Sequence, residues 1–186
     1  MASSYSTDLK LELMVTGEKA GLWGDITNTN LNILQQAIAG YEAVALNATT
    51  GATLTFTNGA LSNGKNAALN LTGTITTSVN VVIPDGIEKN YILKNSTTGA
   101  YNVVFKTTSG SGATFKSTDK GTKIVYSNGT DVIDVFANQK EIGLFTIPSS
   151  DGTNQQAIVT DGSGTLSFAG PYATTGKAIA MAMVFG

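Results

Sequence analysis

Between Tyr41 and Ala137 the chain repeats one device: two or three apolar residues spaced two apart, closed off by Gly, Asn or Asp. Val44/Leu46, Leu54/Phe56, Leu69/Leu71, Val79/Val81/Ile83, Tyr91/Leu93, Tyr101/Val103/Phe105, Ile124/Tyr126 and Ile133/Val135 all follow it. A spacing of two puts alternate side chains on one face of an extended chain, so the pattern predicts about eight strands. Turn residues fall where those strands must end, at Asn58-Gly59, Asn63-Gly64, Pro84-Asp85-Gly86, Thr97-Thr98-Gly99 and Asn128-Gly129. The expected fold is mainly β, an antiparallel β-sandwich or barrel-like domain with one short N-terminal helix and extended terminal arms. The tetrapeptide Thr-Thr-Gly-Ala at Thr49 returns at Thr97, but its flanks do not match and no repeat is inferred.

The flanks of this region read differently. From Leu9 to Val15, Leu9, Leu11, Leu13 and Val15 alternate with Lys10, Glu12 and Met14, which predicts a half-buried strand. Asp25-Ile-Thr-Asn28 then offers capping residues for a helix that runs to Ala39 and stops at Gly40. At 100° per residue its Ile26, Leu31, Ile33, Leu34, Ala37 and Ile38 share an arc of about 160°, wide enough for a buried face. Asn30 falls inside that arc. Two readings stay open: a local capping or hydrogen-bonding role, or a polar residue buried at an oligomer seam, where it would fix register.

After Asn138 the predicted elements are one strand over Ile142 to Pro148 and an extended arm rich in Gly, Ser, Thr, Asn and Asp from Ser149 to Thr175. The end, Lys177 to Gly186, alternates Ala178, Ala180, Ala182 and Val184 with Ile179, Met181, Met183 and Phe185. As a strand it would be apolar on both faces and would need a covering surface, in the same chain or in a neighbour. The organisation expected is thus an N-terminal strand-helix attachment module (1–40), a β-sandwich domain (41–137) and an extended C-terminal arm ending in an apolar strand (138–186).

Composition removes whole classes of function. The chain has no His and no Cys, and its 11 basic residues are all Lys. Imidazole and thiolate chemistry is therefore unavailable, along with zinc, copper and iron sites of the usual kind. With no guanidinium, a net charge of −2 and a pI near 5.0, nothing provides the electrostatic footprint of nucleic-acid binding. No apolar run approaches the roughly 20 residues of a membrane-spanning helix, and MASSYSTDLK has neither the basic nor the apolar region of a secretory signal. No enzyme activity, cofactor, metal, nucleic-acid partner or membrane insertion is expected.

The remaining candidates for chemistry read as structural. Asp131 and Asp134 stand three apart, on opposite faces of a strand, and cannot converge on one substrate atom. Asp151-Gly-Thr-Asn and Asp161-Gly-Ser-Gly lack the acids and terminal Glu of a calcium loop and read as turns. Ser109-Gly-Ser-Gly112 has no following Gly-Lys-Ser/Thr and reads as a hairpin, not a phosphate cradle. The four Asn-X-Thr matches follow from composition. Trp23 is expected to be a packing anchor beside the helix start, and Tyr91, Tyr101 and Tyr126 to contribute to the core.

The two ends also carry a family likeness. Leu9-Lys-Leu-Glu-Leu-Met-Val-Thr-Gly-Glu-Lys-Ala-Gly-Leu-Trp-Gly, continuing Asp25-Ile-Thr-Asn-Thr-Asn-Leu-Asn-Ile-Leu, resembles the N-terminal module of virion structural proteins, often called tail fibres, of tailed and especially marine bacteriophages. The ending Thr174-Thr-Gly-Lys-Ala-Ile-Ala-Met-Ala-Met-Val-Phe-Gly is similar to the terminus of the same group. The resemblance implies a virion component made in the host cytoplasm. Its partners would be other phage virion proteins and copies of itself, with a trimer favoured, and a host surface glycan is a further candidate. Fibres of this kind usually carry a repetitive shaft, which this chain lacks. A tail fibre, a short appendage, an adaptor, a capsid decoration or cement protein, and a receptor- or carbohydrate-binding module therefore stay open. The residues expected to line attachment or oligomer surfaces are Leu11, Leu13, Trp23, Asn30, Leu34, Ile38, Ile179, Met181, Met183 and Phe185.

Overall fold

The computed structural model describes residues 3–137, 139, 141–170 and 183. The chain forms two compact units, Met1–Phe136 and Ala137–Gly186. The first begins with two short paired strands, β1 (Ser4–Tyr5) and β2 (Glu12–Leu13), followed by helix α1 (Trp23–Ala39). It continues through β3 (Tyr41–Ala45), β4 (Gly51–Thr53), β5 (Ala68–Thr72), β6 (Val79–Ile83), β7 (Glu88–Asn95), β8 (Val103–Thr107), β9 (Gly112–Phe115), β10 (Thr122–Asn128) and β11 (Val132–Asp134). The second unit has β12 (Glu141–Ile142), β13 (Phe145–Thr146), β14 (Ala157–Thr160) and β15 (Leu166–Ala169).

Two sheets carry the first unit, one ordered β11-β10-β7-β5-β3 and the other β4-β6-β8-β9. From β3 to β8 the chain changes sheet at every strand, so each sheet receives every second strand and the path is a coil. The mainly-β, two-sheeted expectation therefore holds, without barrel closure. Antiparallel pairing holds only at the margins, in β8–β9, β7–β10 and β10–β11. At the centre β3, β5 and β7 run parallel, as do β4, β6 and β8. The physical reason lies in the turns. Asn-Gly and Asp-Gly segments were expected to reverse the chain within one sheet, but most of them carry it around a corner into the other sheet. Only Asn128-Gly129 and the Ser109–Gly112 loop join adjacent antiparallel strands.

After a longer first turn, successive turns of the coil lie 24 residues apart, as Ala68 over Ile92 and Val79 over Val103 show. Short polar side chains at the corners repeat the interval. The Thr98 hydroxyl donates to the Thr74 hydroxyl at 2.8 Å, Asn102 N–H to the Ser78 hydroxyl, and the Ser109 hydroxyl to the Asp85 carboxylate. At one corner only glycine fits: Gly99 has φ 95°, and a Cβ there would collide with the Ile75 carbonyl oxygen. The space between the sheets is filled from both by Leu69, Leu71, Val81, Ile83, Leu93, Phe105, Phe115 and Val125, each at most 1% exposed. Tyr91 meets Phe105 edge to face at 5.1 Å, and its hydroxyl donates to the Gly64 carbonyl at 3.0 Å. Burial keeps that phenol protonated, far above the usual tyrosine range.

Two local readings need correction. Leu9 to Val15 is not one strand, because Lys10 takes a left-handed φ of 56° and only Glu12–Leu13 pairs. In β10 it is Val125 and Ser127 that face the core, because Val125 lies opposite Tyr91, and this turns Ile124 and Tyr126 outward. Tyr101 is also exposed, so of the three tyrosines only Tyr91 belongs to the core.

Candidate assembly surfaces

Helix α1 starts at Trp23, two residues before the expected cap, and ends where expected, before Gly40. Its apolar arc is wider than the surface available to cover it. Ile33 is fully buried, whereas Leu31, Leu34 and Ile38 are 56%, 36% and 79% exposed. Positions 31, 34 and 38 lie on one stripe of a helix. The buried side is secured by polar contacts. The Gln36 carbonyl accepts the Gly40 and Ala67 N–H groups, and its side-chain oxygen accepts Ser62 N–H. Asn30 does not cap the helix. Its Oδ1 accepts Glu12 N–H at 3.0 Å and its Nδ2 donates to the Glu12 carbonyl at 2.9 Å, so one amide side chain pins β2 to the helix.

A second apolar feature crosses the outer face of the five-stranded sheet. Register places Tyr41 beside Ala68, Ala68 beside Ile92 and Ile92 beside Ile124, and Val135 N–H bonds the Ile124 carbonyl. These five residues form one transverse row, in which Tyr41, Ile92, Ile124 and Val135 are about half exposed. The helix stripe meets the row: Ala37 and Ile38 share a groove of about 210 Å³ with Ala67, Ile92 and Ile124. Sequence reasoning missed this row, although a signal was present. Tyr91-Ile92-Leu93 and Ile124-Val125-Tyr126 are apolar without a break, and an unbroken run within a strand makes both faces apolar.

The second unit has a different character. β12 and β13 form one hairpin and β14 and β15 another, where one strand and a featureless arm were expected. Asp161 behaves as a turn residue, its Oδ1 accepting Ser163 and Thr165 N–H. Those bonds hold its carboxyl below the usual aspartate range. No side chain described in this unit is buried. Leu144 is 92% exposed, and Ile142, Phe145 and Ile158 are exposed as well. Two-stranded hairpins are marginal in water, and these two are joined to each other by a bond from Thr146 N–H to the Gly164 carbonyl.

The other expected surface residues fall as follows. Leu11 is half-buried and Leu13 exposed. Trp23 is 64% exposed and therefore not a packing anchor among the described residues. Of the apolar C-terminal stretch, Met183 is exposed and helical in backbone, not in a strand, while Ile179, Met181 and Phe185 lie outside the described residues. Asp131 binds the N–H and hydroxyl of Ser111, and Asp134 pairs with Lys123 at 2.7 Å, so the two acids serve separate partners. Among the described residues no three metal-ligating side chains gather, and no helix is long and apolar enough to cross a membrane.

One charged residue breaks the pattern. Lys65 is fully buried, and its Nζ donates to the Thr57 and Ala60 carbonyls at 2.7 and 2.6 Å. It thereby staples the loop before β5. Burial, helped by the nearby Lys10 charge, draws its pKa down to about 8.

The surfaces that stand out are thus apolar and geometric, with no clustered reactive groups. Comparison with protein-family models, with curated proteins and with solved structures finds no match for this chain.

Proposed function

We propose that the chain is a non-enzymatic structural component of a tailed-phage particle, a tail fibre, short appendage or adaptor, that assembles with copies of itself and with other virion proteins through its flanking segments. The observation that carries this reading is the second unit, whose hairpins present Ile142, Leu144, Phe145 and Ile158 with no buried side chain beneath them. Covering one such side chain is worth about 1.5–3 kcal/mol, so four together supply on the order of 10 kcal/mol before ordering costs. The likeness of Leu9–Leu34 and of the C-terminal stretch to virion proteins supplies the particle, and the exposed helix stripe gives the N-terminal segment a surface of its own.

The test is sedimentation of the full chain beside a Leu144→Glu/Ile158→Glu double variant, followed by a density map of the intact particle. The expected result is an oligomer that the double variant dissociates while its circular dichroism stays unchanged, together with density for the chain in the virion. A full-length chain that stays monomeric at every concentration, or a particle without it, overturns the reading.

A further inference from the structure

The first turn of the coil ends in two strand edges, and the chain treats them differently. Beyond β4, Gly51 N–H bonds the Asn47 carbonyl, Thr55 N–H and hydroxyl bond the Asn63 side chain, and Thr57 N–H bonds the Ser62 hydroxyl. That edge is occupied by its own loop. At the far end of the coil, Val132 N–H bonds the Ser111 carbonyl and closes the gap between β11 and β9. The β3 edge has no such cover. In its parallel pairing with β5, Ala68 N–H bonds the Gly40 carbonyl and Leu46 N–H the Thr72 carbonyl, so the even-numbered backbone groups face β5. The N–H and C=O groups of Tyr41, Ala43 and Ala45 point the other way and have no partner among the described residues. Nor does β3 carry the Pro, Lys or bulge by which edges are commonly protected.

We infer that β3 is a docking edge for a second copy of this chain, added antiparallel about a twofold axis at Ala43. That register pairs more of the free groups than any other. With Ala43 opposite Ala43, Tyr41 lies opposite Ala45 and Ala45 opposite Tyr41. All three pairs then join odd-numbered residues, whose groups are the unpaired ones, and each exchanges two hydrogen bonds, six in total. A shift of two residues leaves two pairs, and a shift of one opposes groups already bonded to β5. Side chains agree with this register. The large Tyr41 meets the small Ala45, and Glu42, the only charged residue of the strand, meets Val44 instead of its own copy. The result is a continuous ten-stranded sheet. This inference does not depend on the assignment to a phage particle.

Hydrogen exchange of the full chain, followed residue by residue from dilute to concentrated protein, tests it. The Tyr41, Ala43 and Ala45 amides are expected to slow together at least tenfold as concentration rises, while Glu42 and Val44 stay protected throughout. Ala43→Lys, which sets two like charges face to face across the axis, should return all three to fast exchange without changing circular dichroism. Three outcomes overturn the inference: fast exchange of the three amides at the highest concentration, protection that is already full in dilute protein, and protection that survives Ala43→Lys.

Discussion

Leu93 and Leu144 are the same residue in two strand-rich parts of one chain, yet one is completely buried and the other 92% exposed. The difference is not hydrophobicity but recurrence. Each turn of the coil returns an apolar side chain to the same inward position, Leu69 beside Leu93 and Val81 beside Phe105, so every layer is roofed by the next. The second unit's hairpins have no such layering: Leu144 sits in the turn between β12 and β13, and that hairpin meets the other through Thr146 N–H and the Gly164 carbonyl. β14 and β15 satisfy each other's backbone, yet Ile158 stays in water and Leu166 and Phe168 are only partly buried. Hydrogen bonding alone therefore produces a strand, and stacking is needed to turn strands into a core.

The contrast can be broken most directly by cutting equal volumes from the two regions. Phe105→Ala should cost about 3–5 kcal/mol in denaturant unfolding of the first unit, because it opens a cavity where no side chain can relax inward. Leu144→Ala in the dissociated chain should cost almost nothing. A comparable loss for both would mean that the second unit has a core after all.

The next effect concerns charge inside the coil-bearing unit. Lys65 releases its proton near pH 8 when folded and near 10.5 when unfolded, so between those values the unfolded chain holds more protons and stability must rise with pH. Lys89, also lowered to about 8 by burial, acts in the same direction. The rise expected from pH 8 to pH 10 is on the order of 1–3 kcal/mol. Lys65→Met should shrink it, leaving the part due to Lys89, while lowering stability at neutral pH, since the Thr57 and Ala60 carbonyls lose their donor. A stability curve that falls over this range would show that the ammonium is not held as described.

Smaller still is the clamp between helix and hairpin. Asn30→Ala removes two hydrogen bonds to the Glu12 backbone and should cost about 1 kcal/mol, with faster hydrogen exchange at the Glu12 amide and an intact helix. Smallest of all, Ile92→Thr on the outer row should change the stability of the monomer by less than about 0.5 kcal/mol, since half of that side chain already faces water. A large loss there would mean that the row is already packed within one chain.

How far the residues foretell this arrangement depends on the distance over which each signal acts. Strand positions in the coil, the stop of α1 at Gly40 and the hairpin at Ser109–Gly112 are local, set by alternation and turn chemistry, and were legible. Parallel pairing was not, because the interval is 24 residues in the later turns but 27 from Tyr41 to Ala68 and 29 from Gly51 to Asn80. The longer first turn throws the sequence out of phase, so the one recurring tetrapeptide, Thr-Thr-Gly-Ala, does not mark the structural repeat. For the same reason Thr49 and Thr97 are not equivalent: Thr98 N–H bonds the Gly73 carbonyl, whereas Thr76 N–H bonds that of Ala48. Faces were legible where alternation is strict and ambiguous in Ile124-Val125-Tyr126, where either phase buries an apolar side chain. The unbroken apolar runs in β7 and β10 hinted at the outer row, but its extent needed register, since its members come from four strands and the residue after β11.

Corner ladders at a constant interval have one further consequence. A body built by laying each turn on the last has a length that evolution or an engineer can alter without solving a new fold. Duplicating 24 residues from Ala68 through Tyr91 would add one strand to each sheet and lengthen the body by about 4.8 Å. The β3 edge at one end and the closed β9–β11 margin at the other would keep the neighbours they have now. Only the distance between those two ends would change.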